Sequence, residues 1–298
     1  MLTERSYFHG AAALINSLIR NGFTGDILVG YRGALPVWAA DVARFEPAVR
    51  IRFVTIDGEW SLSNMKAHFM RRIATELIPD LTSLWYFDVD IVIKTGWQHF
   101  ERWAEAGLVM VLDMAETYMP AHHVFRREWR AFAARAGYTC RDVAGYVNSG
   151  CVGIGSAQLA MVDIWCRLLE QLHAEGADMR QLVVRGGKPE FAKMDQDVLN
   201  AALMASDLPY SVLGTEAMDS FPSAEIMSHA MVFQKPWSRN YVLDAIKGFQ
   251  PDPAHIAFWR YADGPIASFT PSEWRCKKAQ LRIARLIGHA RRRTVRDW

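Results

Sequence analysis

Two carboxylates stand in the middle of an apolar, β-favouring run, Leu84-Trp85-Tyr86-Phe87-Asp88-Val89-Asp90-Ile91-Val92-Ile93. A buried ionised carboxylate is costly unless it is paired or bound to a metal. In an extended chain, residues i and i+2 point to the same side, so Asp88 and Asp90 can converge on one cation where the strand ends. Oxygen ligands of this kind suit Mn²⁺ or Mg²⁺, whose remaining positions can be filled by water and substrate phosphates. Asp-x-Asp pairs also occur in turns and at strand ends. The pair alone therefore leaves a solvated strand end and a metal site both open.

The elements around this pair alternate. Apolar spacing predicts a helix over residues 10–21, stopped by Asn21-Gly22, a short buried strand over 26–30, a weak helix over 39–45 and a strand over 51–55. A helix over 64–77 precedes the Asp88/Asp90 strand. Then come a helix (97–106), a strand over 108–112 that ends on Asp113, a strand (150–154), a helix (159–175) and a helix (195–205). Strands alternating with helices imply βαβ units: an α/β chain with a mostly parallel central sheet flanked by helices. Ligands of such sheets collect at the carboxyl ends of strands, where Asp88, Asp90 and Asp113 all fall.

Composition sets outer bounds. The chain has 298 residues, 51% of them hydrophobic and 22% charged, enough apolar content for a large core and too much for disorder. It contains no apolar run of membrane-spanning length and no signal-peptide pattern at its start. Its four cysteines form no CxxC pair or extracellular framework, so a reduced, cytoplasmic compartment is expected. Nine Lys and Arg and one acid fall in residues 275–298. Setting these aside from the 34 basic and 32 acidic residues of the whole leaves a mildly acidic body, residues 1–274, with a basic tail.

Four segments resemble one known family. Tyr86-Phe87-Asp88-Val89-Asp90 resembles the metal-binding Asp-x-Asp of glycosyltransferases with the GT-A (Rossmann-like) fold. Tyr146-Val147-Asn148-Ser149-Gly150-Cys151 resembles the Phe-Asn-x-Gly-Val strand of family 8. Asp195-Gln196-Asp197-Val198-Leu199-Asn200 resembles that family's Asp-Gln-Asp-x-Leu-Asn helix start, and His229 followed by Lys235-Pro236-Trp237 resembles its His-x-x-Gly-x-x-Lys-Pro-Trp signature. The order and rough spacing fit as well, over about residues 1–240. The chain is thus similar to retaining glycosyltransferases of family 8, such as glycogenin-like enzymes and bacterial lipopolysaccharide galactosyl- and glucosyltransferases.

The resemblance implies roles. Asp88, Asp90 and His229 would hold Mn²⁺ (or Mg²⁺), and Lys235 would reach the diphosphate. Asn148, with Ser149 beside it, and Asp195 would bind the donor sugar. Gln196 would lie near the anomeric carbon, and Asp113 would be a further sugar-binding carboxylate. Thr3-Glu4-Arg5-Ser6-Tyr7-Phe8-His9-Gly10-Ala11 resembles the family's Thr…Asp-x-Tyr-x-x-Gly-Ala segment, so Tyr7 would stack on uracil, with Thr3 at the same segment's start. Lys66 matches a basic residue on the helix before Asp-x-Asp. Three features depart from the pattern: Val232 stands where the signature has glycine, Arg5 replaces an acid, and little chain precedes Thr3 for a first strand.

These roles describe a metal-dependent retaining transferase that moves a hexose, galactose or glucose, from a UDP-sugar to a cell-surface glycan or lipid-linked acceptor. A retaining hydrolase would use two carboxylates, one as nucleophile. Gln196 is a poor nucleophile, so front-face attack is expected, with the departing phosphate taking the acceptor's proton. Two other readings stay open: a nucleotidyltransferase acting on a sugar phosphate, and a non-catalytic nucleotide-sugar-binding protein. In the tail, Leu281, Ala284 and Leu286-Ile287 form a partial apolar face among basic residues. That pattern fits peripheral attachment to an anionic membrane surface, the inner face of the cytoplasmic membrane, better than nucleic acid, which the acidic body would repel.

Overall fold

The computed structural model describes residues 1–183, 188–219, 226–231 and 234–296, so Val232 lies outside the described residues. Its strands are β1 (Leu2–Glu4), β2 (Gly25–Arg32), β3 (Val49–Thr55), β4 (Ser83–Phe87), β5 (Ile91–Ile93), β6 (Leu108–Leu112), β7 (Val147–Gly155), β8 (Tyr210–Leu213) and β9 (Met227–His229). Its helices are α1 (Phe8–Arg20), α2 (Lys66–Arg72), α3 (Trp97–Ala104), α4 (Val124–Arg135), α5 (Ala160–Ala174), α6 (Met194–Met204), α7 (Tyr241–Ile246), α8 (Pro253–Tyr261) and α9 (Pro271–Arg296). The α/β alternation expected from the sequence is present. The weak helix expected at 39–45 is a 3-10 helix, Val37–Phe45, and α2 runs on into one π-helical turn, Ile73–Leu77. The chain divides into two compact units, one of residues 1–2, 55–88 and 98–216, the other of residues 3–54, 89–97 and 217–298.

The first unit is built on a four-stranded sheet, ordered β4-β7-β6-β8. β7 runs antiparallel to β4 and β6, while β6 and β8 are parallel. α6 is buried along its whole length, its apolar residues filling the core and its polar first turn kept at the sheet's end. Between Met110 and Val111 the partner on β7 jumps from Val152 to Asn148. Such a bulge kinks the strand and re-aims side chains. Here it carries Asn148 towards the end of β6, where Asp113 follows.

The apolar run that carries the two carboxylates is not one strand. β4 stops at Phe87, the Asp88 amide donates to the Gly150 carbonyl (2.8 Å), and pairing resumes at Ile91 with a different partner, β9. The apolar residues on each side pair with different strands, β7 and β9.

The second unit holds a three-stranded sheet, β1-β2-β3, and the antiparallel pair β5-β9. β1 is three residues long. α1 lies against β5: Ser17 Oγ accepts from the Ile93 amide (2.9 Å). Trp237, Tyr241, Phe258, Trp259, Leu281 and Ala284 belong to one buried cluster. The apolar face anticipated for the tail is therefore divided. Leu281 and Ala284 face inward, packed in that cluster with Ile287 against it, while Leu286 stays exposed, as does Ile283 outside the anticipated set.

Gly10 marks the closest approach of α1 to the carboxylate-bearing segment. A Cβ there would overlap the Val89 carbonyl oxygen and stand 3.0 Å from the Trp237 ring. Gly10→Ala is expected to destabilise the chain by roughly 1–3 kcal/mol, the usual cost of overpacking, when unfolded in urea. Gly96→Ala, with open space around it, should be close to neutral in the same measurement.

Candidate active site

In the first unit the site is organised around one buried ammonium. Lys66 opens α2 and is 3% exposed. Its Nζ lies 2.9 Å from Asp195 Oδ2, 3.1 Å from Asp88 and 3.1 Å from Ser149 Oγ. Burial pulls the Lys66 pKa down, but Asp195 and Asp88 outweigh it and hold it above the ordinary lysine value, so the group stays charged. Tyr86, two residues before Asp88 and on the same side of the strand, donates its hydroxyl to the Asp88 carboxylate (3.1 Å).

A second chain of bonds runs from Ser149 to Asp113. Ser149 Oγ donates to Asp195 (2.7 Å), and the Ser149 amide donates to Gln196 Oε1 (3.1 Å). Gln196 Nε2 and Asn148 Nδ2 both donate to Asp113 Oδ2, at 3.0 and 2.9 Å. Burial pushes the Asp113 carboxyl up, yet the Asn148 bond, the Lys193 charge and the remaining donors keep it below the usual carboxylate range. Asp195 does not cap α6. The N-cap is Lys193, and Asp195 lies in the first turn with its carboxylate on Lys66 and Ser149. A carboxylate in the first turn of a helix is favoured by the helix dipole.

The second acid of the Asp-Gln-Asp segment, Asp197, also belongs to this wall. Asp197 accepts from the Tyr146 hydroxyl (2.6 Å) and from the Lys193 amide (2.7 Å). Burial pushes its carboxyl up to about 7, against the pull of those two donors. Its position in Asp-Gln-Asp was legible, but its partner Tyr146 was not, because the contact is made across 51 residues of sequence.

In the second unit, Asp90 is the centre. His229 pairs in register with Ile91, and its Nε2 lies 3.2 Å from Asp90 Oδ1. Lys235 Nζ lies 2.6 Å from Asp90 Oδ2 and 3.0 Å from the Ala230 carbonyl. Burial raises the Asp90 pKa, but His229 and Lys235 outweigh it and hold the carboxyl far below its ordinary range. The Lys-Pro-Trp segment is pinned from behind: Tyr241 donates its hydroxyl to the Pro236 carbonyl (3.1 Å) and accepts from Trp259 (2.9 Å). β9 is held by Lys94 and Asp219 (2.6 Å), with Ser228 also donating to Asp219, a clamp that no sequence pattern announced. Tyr7 is 39% exposed and meets Trp237 edge-on, with ring centroids 5.3 Å apart. Thr3 is buried and its hydroxyl has no hydrogen-bond partner among the described residues.

The donor set suits a divalent cation. Asp88 and Asp90 are separated by one residue and His229 is bonded to Asp90. One ligand atom from each lies within 4.8 Å of the others. The buried Nδ1 of His229 has no partner among the described residues, so the ring is not committed elsewhere by a hydrogen bond at that atom.

No protein-family model and no curated protein matches the chain. Solved structures do match it. The bifunctional glycosyltransferase WbbM is 15% identical, with a TM-score of 0.54, over 93% of this chain and 50% of that one. The glycosyltransferase GlyE of Streptococcus pneumoniae is 14% identical, with a TM-score of 0.53, over 93% and 60%. The galactosyltransferase LgtC, solved with donor and acceptor sugar analogues, is 16% identical, with a TM-score of 0.53, over 93% and 98%. The chain thus spans about half the length of WbbM and three fifths of GlyE. At this identity the likeness is one of fold: the chain has the GT-A fold of these glycosyltransferases.

Asp197 provides a pH test of the first unit. Its folded pKa lies above the ordinary 3.8, so between about 4 and about 7 the folded chain binds more protons than the unfolded one, and this group's contribution to stability falls as pH rises. Stability of the parent relative to Asp197→Asn, measured by urea unfolding, is expected to fall across that window by up to about 1.4 kcal/mol per pH unit. A flat difference would place the Asp197 pKa elsewhere.

Proposed function

We propose that this chain is a metal-dependent, retaining glycosyltransferase that moves a hexose from a UDP-sugar to a glycan or lipid-linked acceptor. The observation that carries the reading is the convergence, at the carboxyl end of β4, of Asp88 with Lys66, Asn148, Ser149, Asp195, Gln196 and Asp113 in one hydrogen-bonded set. The GT-A fold, shared with a galactosyltransferase solved with donor and acceptor analogues, supports it.

The roles follow from the chemistry of the residues. Asp88, Asp90 and His229 hold a divalent cation, Mn²⁺ or Mg²⁺, which when bound neutralises charge on the donor's diphosphate. Lys235 places its ammonium against the same diphosphate and stabilises the negative charge that grows on the leaving oxygen. Asn148, Ser149 and Asp195 bind donor-sugar hydroxyls, and Lys66 orients Asp195 through their ion pair. Ser149 and Asp113 hold the Gln196 amide, and that amide is the group we assign to the anomeric carbon. An amide is a poor nucleophile, so the acceptor hydroxyl attacks the face that the diphosphate leaves, and its proton passes to a departing phosphate oxygen. An LgtC structure of an active-site glutamine variant supports a working place for such a residue. Asp113 faces the positive charge that develops on the ring, and Tyr7 and Thr3 line the uracil side.

The test is release of UDP from a panel of UDP-hexoses with Mn²⁺. One donor should be hydrolysed or transferred, with the rate lost in EDTA and in Asp88→Ala and Asp90→Ala. Lys235→Ala should lower kcat by about 10²–10³, as expected for loss of one charge-stabilising donor. Release unaffected by EDTA would rule the metal out, and no binding of any UDP-sugar would rule the reading out.

We also infer that α9 rests on an anionic lipid surface. Ile283 and Leu286 are exposed beside the exposed Arg282 and Arg285, an apolar strip with a basic flank. No helix among the described residues is long and apolar enough to cross a membrane. Sedimentation with phosphatidylglycerol vesicles should be salt-sensitive and should fall in Ile283→Asp/Leu286→Asp. Equal sedimentation with neutral vesicles would contradict the assignment.

A further inference from the structure

A pocket of about 570 Å³ opens in the first unit, lined by no residue of the Lys66 network and used by no role described above. It lies on the same helix: Met65 and His68, on either side of Lys66 in sequence, line one wall. Trp60 lines it from the loop before α2, and Glu170 and His173 from α5. Asp178 and Arg180 close the rim. The volume falls within the roughly 300–1,000 Å³ of small-ligand pockets, room for more than one pyranose ring.

The pocket is built rather than incidental. Its two loops are tied together from behind: the fully buried Asn64 donates to the Met179 and Gln181 carbonyls (2.8 and 3.1 Å), and the Ser61 amide donates to Met179 (2.9 Å). The Trp60 indole is braced by two imidazoles set steeply across it, His68 at 5.1 Å and 87° and His173 at 5.2 Å and 69°. Glu170 is held by Arg71 (3.0 Å) and accepts from or pairs with His68 Nε2 (3.1 Å). His68 Nδ1 is buried with no partner among the described residues. A locked indole surrounded by fixed polar groups is a preorganised surface, which lowers the entropic cost of binding.

The chemistry selects among ligands. Four carboxylates border the pocket, Asp57, Glu59, Glu170 and Asp178, against Arg180 at its rim and Arg71 behind Glu170. The balance is negative, which disfavours phosphates, nucleotides and uronic acids. An indole wall accepts the C–H face of a pyranose, and carboxylates and imidazoles take its hydroxyls. We propose that this pocket is a subsite for a neutral or amino sugar of the acceptor, so that the chain recognises an oligosaccharide rather than a single terminal residue. This rests on the glycosyltransferase reading, and binding is therefore measured apart from turnover.

The experiment is NMR of histidine-labelled full-length chain, following the His68 and His173 ring signals. The probes are lactose, maltose, cellobiose, N,N′-diacetylchitobiose and a glucosamine disaccharide, with a uronic-acid disaccharide as the counter-probe. At least one neutral or amino disaccharide should shift both rings with a Kd on the order of 1 mM, Trp60→Ala should weaken it about tenfold or more, and the uronate should bind at least as poorly as that variant. Trp60→Phe, which keeps an aromatic wall, should retain binding if Trp60→Ala does not fold. The proposal is overturned if no probe moves the rings at about 50 mM, if Trp60→Ala binds like the parent, or if the uronate binds as well as the neutral sugars. UDP binding with Mn²⁺ is read on the same samples. Sugar binding without UDP binding would leave the pocket standing and sink the transferase reading, and UDP binding without sugar binding would do the reverse.

Discussion

The Lys66 ammonium is buried within 3.1 Å of two carboxylates and one hydroxyl, and the first unit's polar wall is arranged to keep it there. Removing one partner from such a buried set leaves an uncompensated charge, at a cost of roughly 3–5 kcal/mol. A well-packed apolar replacement of the whole set could be just as stable, so the ion cluster is better understood as fixing positions than as adding stability. It holds Asp88 at the end of β4, Asp195 in the first turn of α6 and Ser149 in the bulged part of β7. Three elements far apart in sequence are thereby set to one geometry. Ser149 and Gln196 then extend that order to Asp113.

The second carboxylate of the pair is treated differently. Asp90 is held by Lys235 and His229, both reached through the short pair β5-β9 and its neighbouring segment. Gly10 lets α1 press on the carbonyl of Val89, the residue between the two carboxylates, and Ser17 fixes the amide of Ile93. The three residues Asp88, Val89 and Asp90 are thus restrained along the backbone as well as through side chains. Each carboxylate has a lysine within 3.1 Å as its counter-charge.

Much of this was legible in the sequence, for identifiable reasons. Asp88 and Asp90 stood out because carboxylates interrupt an apolar run, and Asn148, Asp195, Gln196, His229 and Lys235 because their segments resemble, in order, the motifs of one known family. Local pattern also gave most helices and strands. It did not give the break of the 84–93 run into β4 and β5, because both halves are equally apolar and only their partners differ. Nor did it give the inward turn of Leu281 and Ala284, since the 3.6-residue period marks an apolar face without saying what covers it. The Tyr146–Asp197 bond and the Lys94–Asp219 clamp join residues 51 and 125 positions apart, and no single-sequence pattern encodes such a pairing.

The central claim is that Asp88, Asp90 and His229 hold a divalent cation that ties the nucleotide diphosphate to this chain. Electron paramagnetic resonance of Mn²⁺ titrated with the protein, with and without UDP, tests it without needing donor sugar or acceptor. The account predicts one bound Mn²⁺ per chain, bound more tightly when UDP is present, and loss of that site in Asp90→Asn and in His229→Ala while both variants keep the parent's circular dichroism spectrum. UDP binding of equal strength in EDTA, or Mn²⁺ binding unchanged in both variants, would contradict it.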